Sequence, residues 1–348
     1  MNLNAEPKII SMANALDLDV EQPVTAIMEF CRDKVHRFLR RAGRIANVEE
    51  LQRVVCKRLN LTVHEIRSAE DIEKLAEQYR ADDEIAIFAA VKTQLRPDTF
   101  GMLMQFHRPS ANGRARFVAF IDCRGEKAHR RVWTLWHEIA HCLTAKDQLA
   151  LPLRRTTADI IEKDPVEKLT DIIAADFAFY EPLFRPILDA EFGKSGRLTF
   201  KVVERVRNRF NPEASFDSTL NACVAKAPAP IILLEAGLAL KKHEQKLVEA
   251  GAASISDFSP SLRVLKSIPN EVARTELPHV PKQMRIPLDS VIARIHAGEN
   301  GAILEAGMAE ESLGNWTTST GSGLPDVPVT VQARKVGDRV VAIIALAA

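Results

Sequence analysis

Between Arg131 and Thr144 the chain reads Arg-Val-Trp-Thr-Leu-Trp-His-Glu-Ile-Ala-His-Cys-Leu-Thr. Val132, Trp133, Leu135, Trp136, Ile139, Ala140, Cys142 and Leu143 fall on every side of a helix with 3.6 residues per turn. Such a helix has no face to offer water, so it is expected to be buried in a core. Three positions break the pattern: His137, Glu138 and His141. Residues four apart are rotated by about 400°, so the two imidazoles stack on one face, one turn apart, and can converge on a single cation. Glu138 points about 100° away from them.

That offset is what the chemistry of a zinc peptidase requires. The carboxylate must not ligate the metal, yet it must reach the water bound there and take its proton. Two protonatable rings and a carboxylate inside an apolar helix are costly to bury without partners, and a metal supplies one. The alternative is a pair of core histidines bonded to backbone carbonyls.

A catalytic zinc keeps three protein ligands and leaves a position for water, so a third ligand is expected beyond His141. The acids available are Asp147, Asp159, Glu162, Asp164, Glu167, Asp171 and Asp176. Asp164-Pro165-Val166-Glu167 reads as N-cap, first helical Pro and an acid at the third position, so a helix is expected from here to about Tyr180. One face of it carries Glu167, Asp171, Ala174 and Ala178, and its small residues allow close approach to the His-Glu helix. Glu167 is then presented at the metal end, although the same carboxylate could only close a capping box. Asp171, one turn on, is placed to accept the free ring N–H of a ligand histidine.

With these motifs in view, His137-Glu-Ile-Ala-His141 preceded by Arg131-x-x-Thr134, and Glu167-Lys-Leu-Thr-Asp171-Ile-Ile-Ala174-Ala175 downstream, the chain resembles the ImmA/IrrE family of metallopeptidases. The resemblance covers roughly residues 48–242. It implies a gluzincin-like soluble protease in which His137, His141 and Glu167 hold Zn2+ and Glu138 is the catalytic base. It also implies a protein substrate, a helix-turn-helix repressor whose cleavage derepresses phage, mobile-element or stress-response genes. The chain has Thr170-Asp171 where Cys-Asn is common, and Phe177-Ala-Phe-Tyr-Glu-Pro182 where the family ends Leu-x-Pro. Tyr180 is a candidate to stabilise the oxyanion. Two imidazoles and a carboxylate suit Mn2+ or Fe2+ as well.

Composition sets the remaining bounds. The 348 residues, 46% hydrophobic and 27% charged, exclude a disordered or fibrous chain and allow one large or two ordinary domains. A formal net charge of +1 indicates no global attraction to nucleic acid or to an anionic membrane. Cys31, Cys56, Cys123, Cys142 and Cys223 are scattered and form no CxxC pair, which fits a reducing compartment. With neither a signal-like start nor an apolar run long enough to span a bilayer, a cytoplasmic protein without membrane partners is expected.

The expected fold class is α+β: a zincin-like helical core with a small, largely antiparallel sheet, then a C-terminal mixed domain. Residues 1–20 read as a loose arm, 21–245 as the peptidase domain, and 252–348 as the second domain, which the resemblance likens to a GAF-like sensor. Helices are expected over 24–42 and 48–59 and from Ser68. Strands are expected over 61–66, 84–92, 100–106 and 115–122, the last two as a hairpin. The strand 115–122 is a candidate edge for an extended substrate, or simply a core strand. The helix pair expected over 198–210 and 216–226 lies at about 195–245, a region that the resemblance likens to the family's helix-turn-helix-like subdomain. Its Lys201, Arg205, Arg207 and Arg209 fall on several faces, so direct nucleic-acid binding is not expected. A connector and buried strand follow at 227–235, then a helix at 238–251, and Val329–Ala333 with Arg339–Ala345 read as a closing hairpin. The competing readings are a regulator that binds the repressor without cutting it, and a direct DNA-binding transcription regulator.

Overall fold

Pro7 begins the first helix where a missing N–H has no intrahelical acceptor to lose, and Ile9 and Ala13, four residues apart, are fully buried on one face. The expected loose arm is therefore an ordered helix, α1 (Pro7–Ala15), whose two anchors were too few to register as a periodic stripe. In this computed structural model the described residues are 2–80, 95, 99–106, 116–145, 153–156, 164–298, 306–318 and 321–347. The strand expected at 84–92 lies outside them. After α1 come α2 (Pro23–Leu39), α3 (Val48–Leu59), β1 (Leu61–Ile66), α4 (Ala69–Arg80), β2 (Thr99–Phe106), β3 (Arg116–Asp122), α5 (Arg131–Thr144), β4 (Leu153–Thr156), α6 (Pro165–Ala178) and α7 (Glu181–Ser195). Helix α2 buries Ile27, Met28, Cys31 and Val35 at helical spacing. Helix α3 is capped by Asn47, whose side chain accepts from Glu50 N, and ends at Asn60 in the left-handed region, φ 55°.

The first sheet has the order β1-β3-β2-β4. β2 and β3 pair antiparallel with Met102 opposite Phe120, as a hairpin requires, while β1 runs parallel to β3 with Leu61 opposite Phe117. Both edges of β3 are thus occupied, so this strand is not the open edge to which an extended substrate could add. Alternation along the strands puts Met102, Val118 and Phe120 on one face with Ile66 and Ile72. Gly101 points to the other face, where α5 lies. Helix α5 is enclosed as its composition demands: every residue from Thr134 to Thr144 is buried. Trp136 stacks on Phe177 of α6 at 6.2 Å, and Phe179, Phe184 and Phe210 form an aromatic cluster with centroids 5.0–5.9 Å apart.

The chain divides into two compact units, Met1–Phe184 with Phe210–Ser215, and Arg185–Arg209 with Phe216–Ala348. The second contains most of α7, then α8 (Phe200–Phe210) up to Arg209, α9 (Phe216–Lys226), β5 (Ile231–Ala239), α10 (Lys242–Glu249), β6 (Ser261–Pro269), α11 (Glu271–Glu276), α12 (Val291–Ala297), β7 (Ala306–Ser312), β8 (Pro328–Val336) and β9 (Arg339–Leu346). Its five-stranded sheet is antiparallel in the order β6-β5-β9-β8-β7. Leu234, Val264, Val331 and Ile344 pack with Trp316 and Ile292 in its core. The division differs from the one expected near residue 250, because β5 lies inside this sheet with Leu234 opposite Ala342. The helical pair belongs here too: Phe200 N donates to Gln332 Oε1 at 2.9 Å, and the Arg334 guanidinium covers the Phe200 and Phe216 rings at 5.1 and 3.8 Å. Among the described residues no helix is long and apolar enough to cross a membrane.

Candidate metal centre

Helix α5 is held at both ends. Arg131 Nη1 donates to Glu65 Oε1 at 2.7 Å near its start, and Lys34 Nζ donates to the Leu143 carbonyl at 2.9 Å in its last turn, where a cation also suits the helix dipole. Within it His137, Glu138 and His141 are 1%, 1% and 5% exposed. The two imidazoles lie on one side with centroids 4.8 Å apart and Nε2 atoms at 3.1 Å.

Helix α6 is started by Asp164, whose carboxylate accepts from Val166 N, and by Pro165. Its buried Ala174 and Ala178 allow the approach that sets Glu167 beside the histidines. Glu167 Oε2 lies 2.9 Å from His137 Nε2, and Glu167 Oε1 lies 3.4 Å from His141 Nε2. The carboxylate therefore faces the imidazoles. The ligating atoms of His137, His141 and Glu167 all fall within 4.8 Å of one another and can hold a metal ion. Burial pushes the Glu167 carboxyl up, but the two histidines outweigh it and hold the group well below the usual carboxylate range.

Asp171 Oδ1 lies 3.0 Å from His137 Nδ1. An ionised carboxylate only accepts, so it draws a ring proton to Nδ1, the tautomer of a neutral imidazole that leaves a lone pair on Nε2 for a metal. That lone pair faces Glu167 Oε2 at 2.9 Å and His141 Nε2 at 3.1 Å. Separations this short are favourable when a ring proton or a metal ion lies between the atoms. Neighbouring ligands on a tetrahedral zinc with bonds near 2.0–2.1 Å are about 3.3 Å apart, so the three separations suit such an ion. Cys142, adjacent to His141, is a buried free thiol that burial pushes far above the usual range, which disfavours it as a thiolate ligand.

Other acids on α6 have other work. Asp164 caps the helix and pairs with Lys8, and Asp176 takes a bidentate hydrogen bond from Arg32 at 2.8 and 3.0 Å. Asp147, Asp159 and Glu162 lie outside the described residues. Tyr180 does not fit as an oxyanion donor. Helix α6 runs unbroken from Pro165 to Ala178, so Tyr180 begins about 20 Å along its axis from Glu167, beyond a phenol's reach. The phenol there is pushed up by burial and by Asp176.

Glu138 lies off the histidine face, against β2. A methyl built on Gly101 would stand 2.7 Å from Glu138 Oε1 and 2.6 Å from Thr134 Cγ2. Sequence reading passed over Gly101, although a lone glycine inside Thr-Phe-Gly-Met-Leu-Met marks a close approach of another group to the strand. No protein-family model matches this chain, and no curated protein matches it.

Proposed function

We propose that this chain is a metal-dependent endopeptidase with zinc as its resident ion, acting on a partner protein, as its resemblance to the ImmA/IrrE family implies. The observation that carries the reading is a division of labour on one buried helix. His137 and His141 share a face with Glu167, whereas Glu138, equally buried, lies off that face and can serve as a base. A divalent ion held by His137, His141 and Glu167 would supply a Lewis acid for a peptide carbonyl and make a water acidic near neutral pH. Asp171 keeps the His137 proton on Nδ1, so Nε2 stays a donor of electrons. Glu138 receives a proton on a carboxylate oxygen and passes it to the departing amine as the C–N bond breaks, returning to its ionised form. Solvent exclusion around α5 strengthens both roles.

The substrate class, a helix-turn-helix repressor, rests on the resemblance alone. Zinc-loaded wild type and Glu138→Gln are incubated with the helix-turn-helix protein encoded nearest to this chain, and fragments are sequenced. Wild type should cut at a defined bond, while the variant binds zinc equally and leaves the partner whole. Equal cutting by both removes Glu138 as the base. Relief of repression by both without cutting favours a binding regulator.

A further inference from the structure

Gly101 has no conformational reason to be glycine. It sits in the β2 ladder opposite Ile121, and its φ is not in the left-handed region. What the position needs is space, since any β-carbon would strike Thr134 and Glu138, one turn apart on the strand-facing side of α5. Contacts of 2.6 and 2.7 Å are far inside van der Waals separation. We infer that Gly101 is a positioning residue: the bare backbone of β2 is the wall against which the Glu138 carboxylate is set.

The strand is braced at that point. Pairing of β2 with β4 shifts register between Thr99 and Gly101, a bulge that re-aims the backbone there. Just before it, Lys127 Nζ donates to the Thr99 carbonyl at 2.8 Å and to Asp122 Oδ2 at 2.6 Å. Asp122 is fully buried and takes two further bonds from the Arg124 side chain, at 2.8 Å each. Arg130, at the mouth of α5, lies over the Phe100 ring at 4.5 Å. This bracket ties the start of β2 to the segment that leads into α5. A methyl at 101 therefore meets two braced elements, and Thr134 Cγ2 and the Glu138 carboxylate are the parts that must give way.

The geometric claim stands on these contacts, while its catalytic meaning rests on the peptidase reading, and the test separates the two. Gly101→Ala is made in the full chain, in wild type and in Thr134→Ser, which removes the other struck atom, each with and without Glu138→Ala, and melting temperature, zinc stoichiometry and hydrolysis of fluorescein-labelled casein are measured. If the methyl displaces the carboxylate, Gly101→Ala lowers the melting temperature by about 5 °C in the wild-type background and, in Thr134→Ser, by less than about half as much with Glu138→Ala as without it. Zinc stoichiometry stays unchanged. With casein, kcat falls by about tenfold or more while KM stays within about twofold, the pattern of an interaction made in the transition state. Equal losses of melting temperature in Thr134→Ser with and without Glu138→Ala, or an unchanged kcat, overturn the inference. A wild type that binds zinc but cuts no casein, with the melting temperatures still coupled, keeps the positioning role and restricts any cleavage to a specific partner protein.

Discussion

Replacing Asp171 with alanine separates a metal centre from a mere cluster of histidines, because Asp171 meets the His137 ring from behind. Its Oδ1 lies 3.0 Å from His137 Nδ1, on the far side of the ring from Glu167. Loss of such a supporting carboxylate costs metal affinity about 10–100-fold. The Asp171 side chain is 42% exposed, so solvent screens much of its charge and the lower end applies. The expected loss is about tenfold, or ~1.4 kcal/mol. Asp171→Asn keeps an acceptor oxygen but not the charge. Neutral hydrogen bonds are worth about half of charge-assisted ones, so its loss should be about threefold. Competition with a chromophoric zinc chelator at fixed pH measures both, with Glu167→Ala as the comparison that removes a ligand outright and must weaken binding further. If Asp171→Ala binds zinc as tightly as wild type, His137 does not depend on that carboxylate for its tautomer, and the account of why Nε2 is free for a metal fails.

Two further outcomes follow from the second unit. Glu191 is nearly enclosed by Arg205, Lys194 and Arg209, whose side-chain bonds at 2.7, 2.9 and 2.5 Å hold its carboxyl down to about 2, against 4.5 for the free group. Because the folded value lies below the unfolded one, this stabilisation is complete above pH 4.5 and is lost as the pH falls toward 2, and Glu191→Gln should flatten the stability profile over that interval in urea titrations. Asn270, 4% exposed, accepts from Ile231 N at 3.1 Å and Ala273 N at 2.8 Å and donates to the Ala229 carbonyl at 2.8 Å. Asn270→Ala orphans the buried Ile231 and Ala273 amides and the partly buried Ala229 carbonyl and should cost about 2–4 kcal/mol by chemical denaturation; a loss below ~0.5 kcal/mol would show that they find other partners.

The parts of the site that were legible in the sequence are local. His137, Glu138 and His141 lie within two turns, so helical geometry alone fixes their relative directions, and Asp164-Pro165 announces the start of the helix that carries Glu167. What could not be read depends on pairing between distant segments. That β3 is an interior strand follows only once β1, more than fifty residues earlier, runs parallel beside it. That β5 belongs with the C-terminal sheet follows from Leu234 lying opposite Ala342. Neither pairing leaves a trace in local periodicity. Tyr180 offers a hydroxyl, but the length of helix α6 separates it from Glu167. Gly101 meets a demand that comes from the side chains of another element, which no local pattern around it displays.

X-ray absorption at the zinc edge of the reconstituted full chain bears on the metal centre most directly. One zinc per chain, with two imidazole nitrogens and otherwise oxygen in its coordination sphere, and loss of that signal in the double variant His137→Ala/Glu167→Ala, is the expected result. Failure to take up zinc, or a sulfur ligand from Cys142 in place of the Glu167 carboxylate, would contradict it.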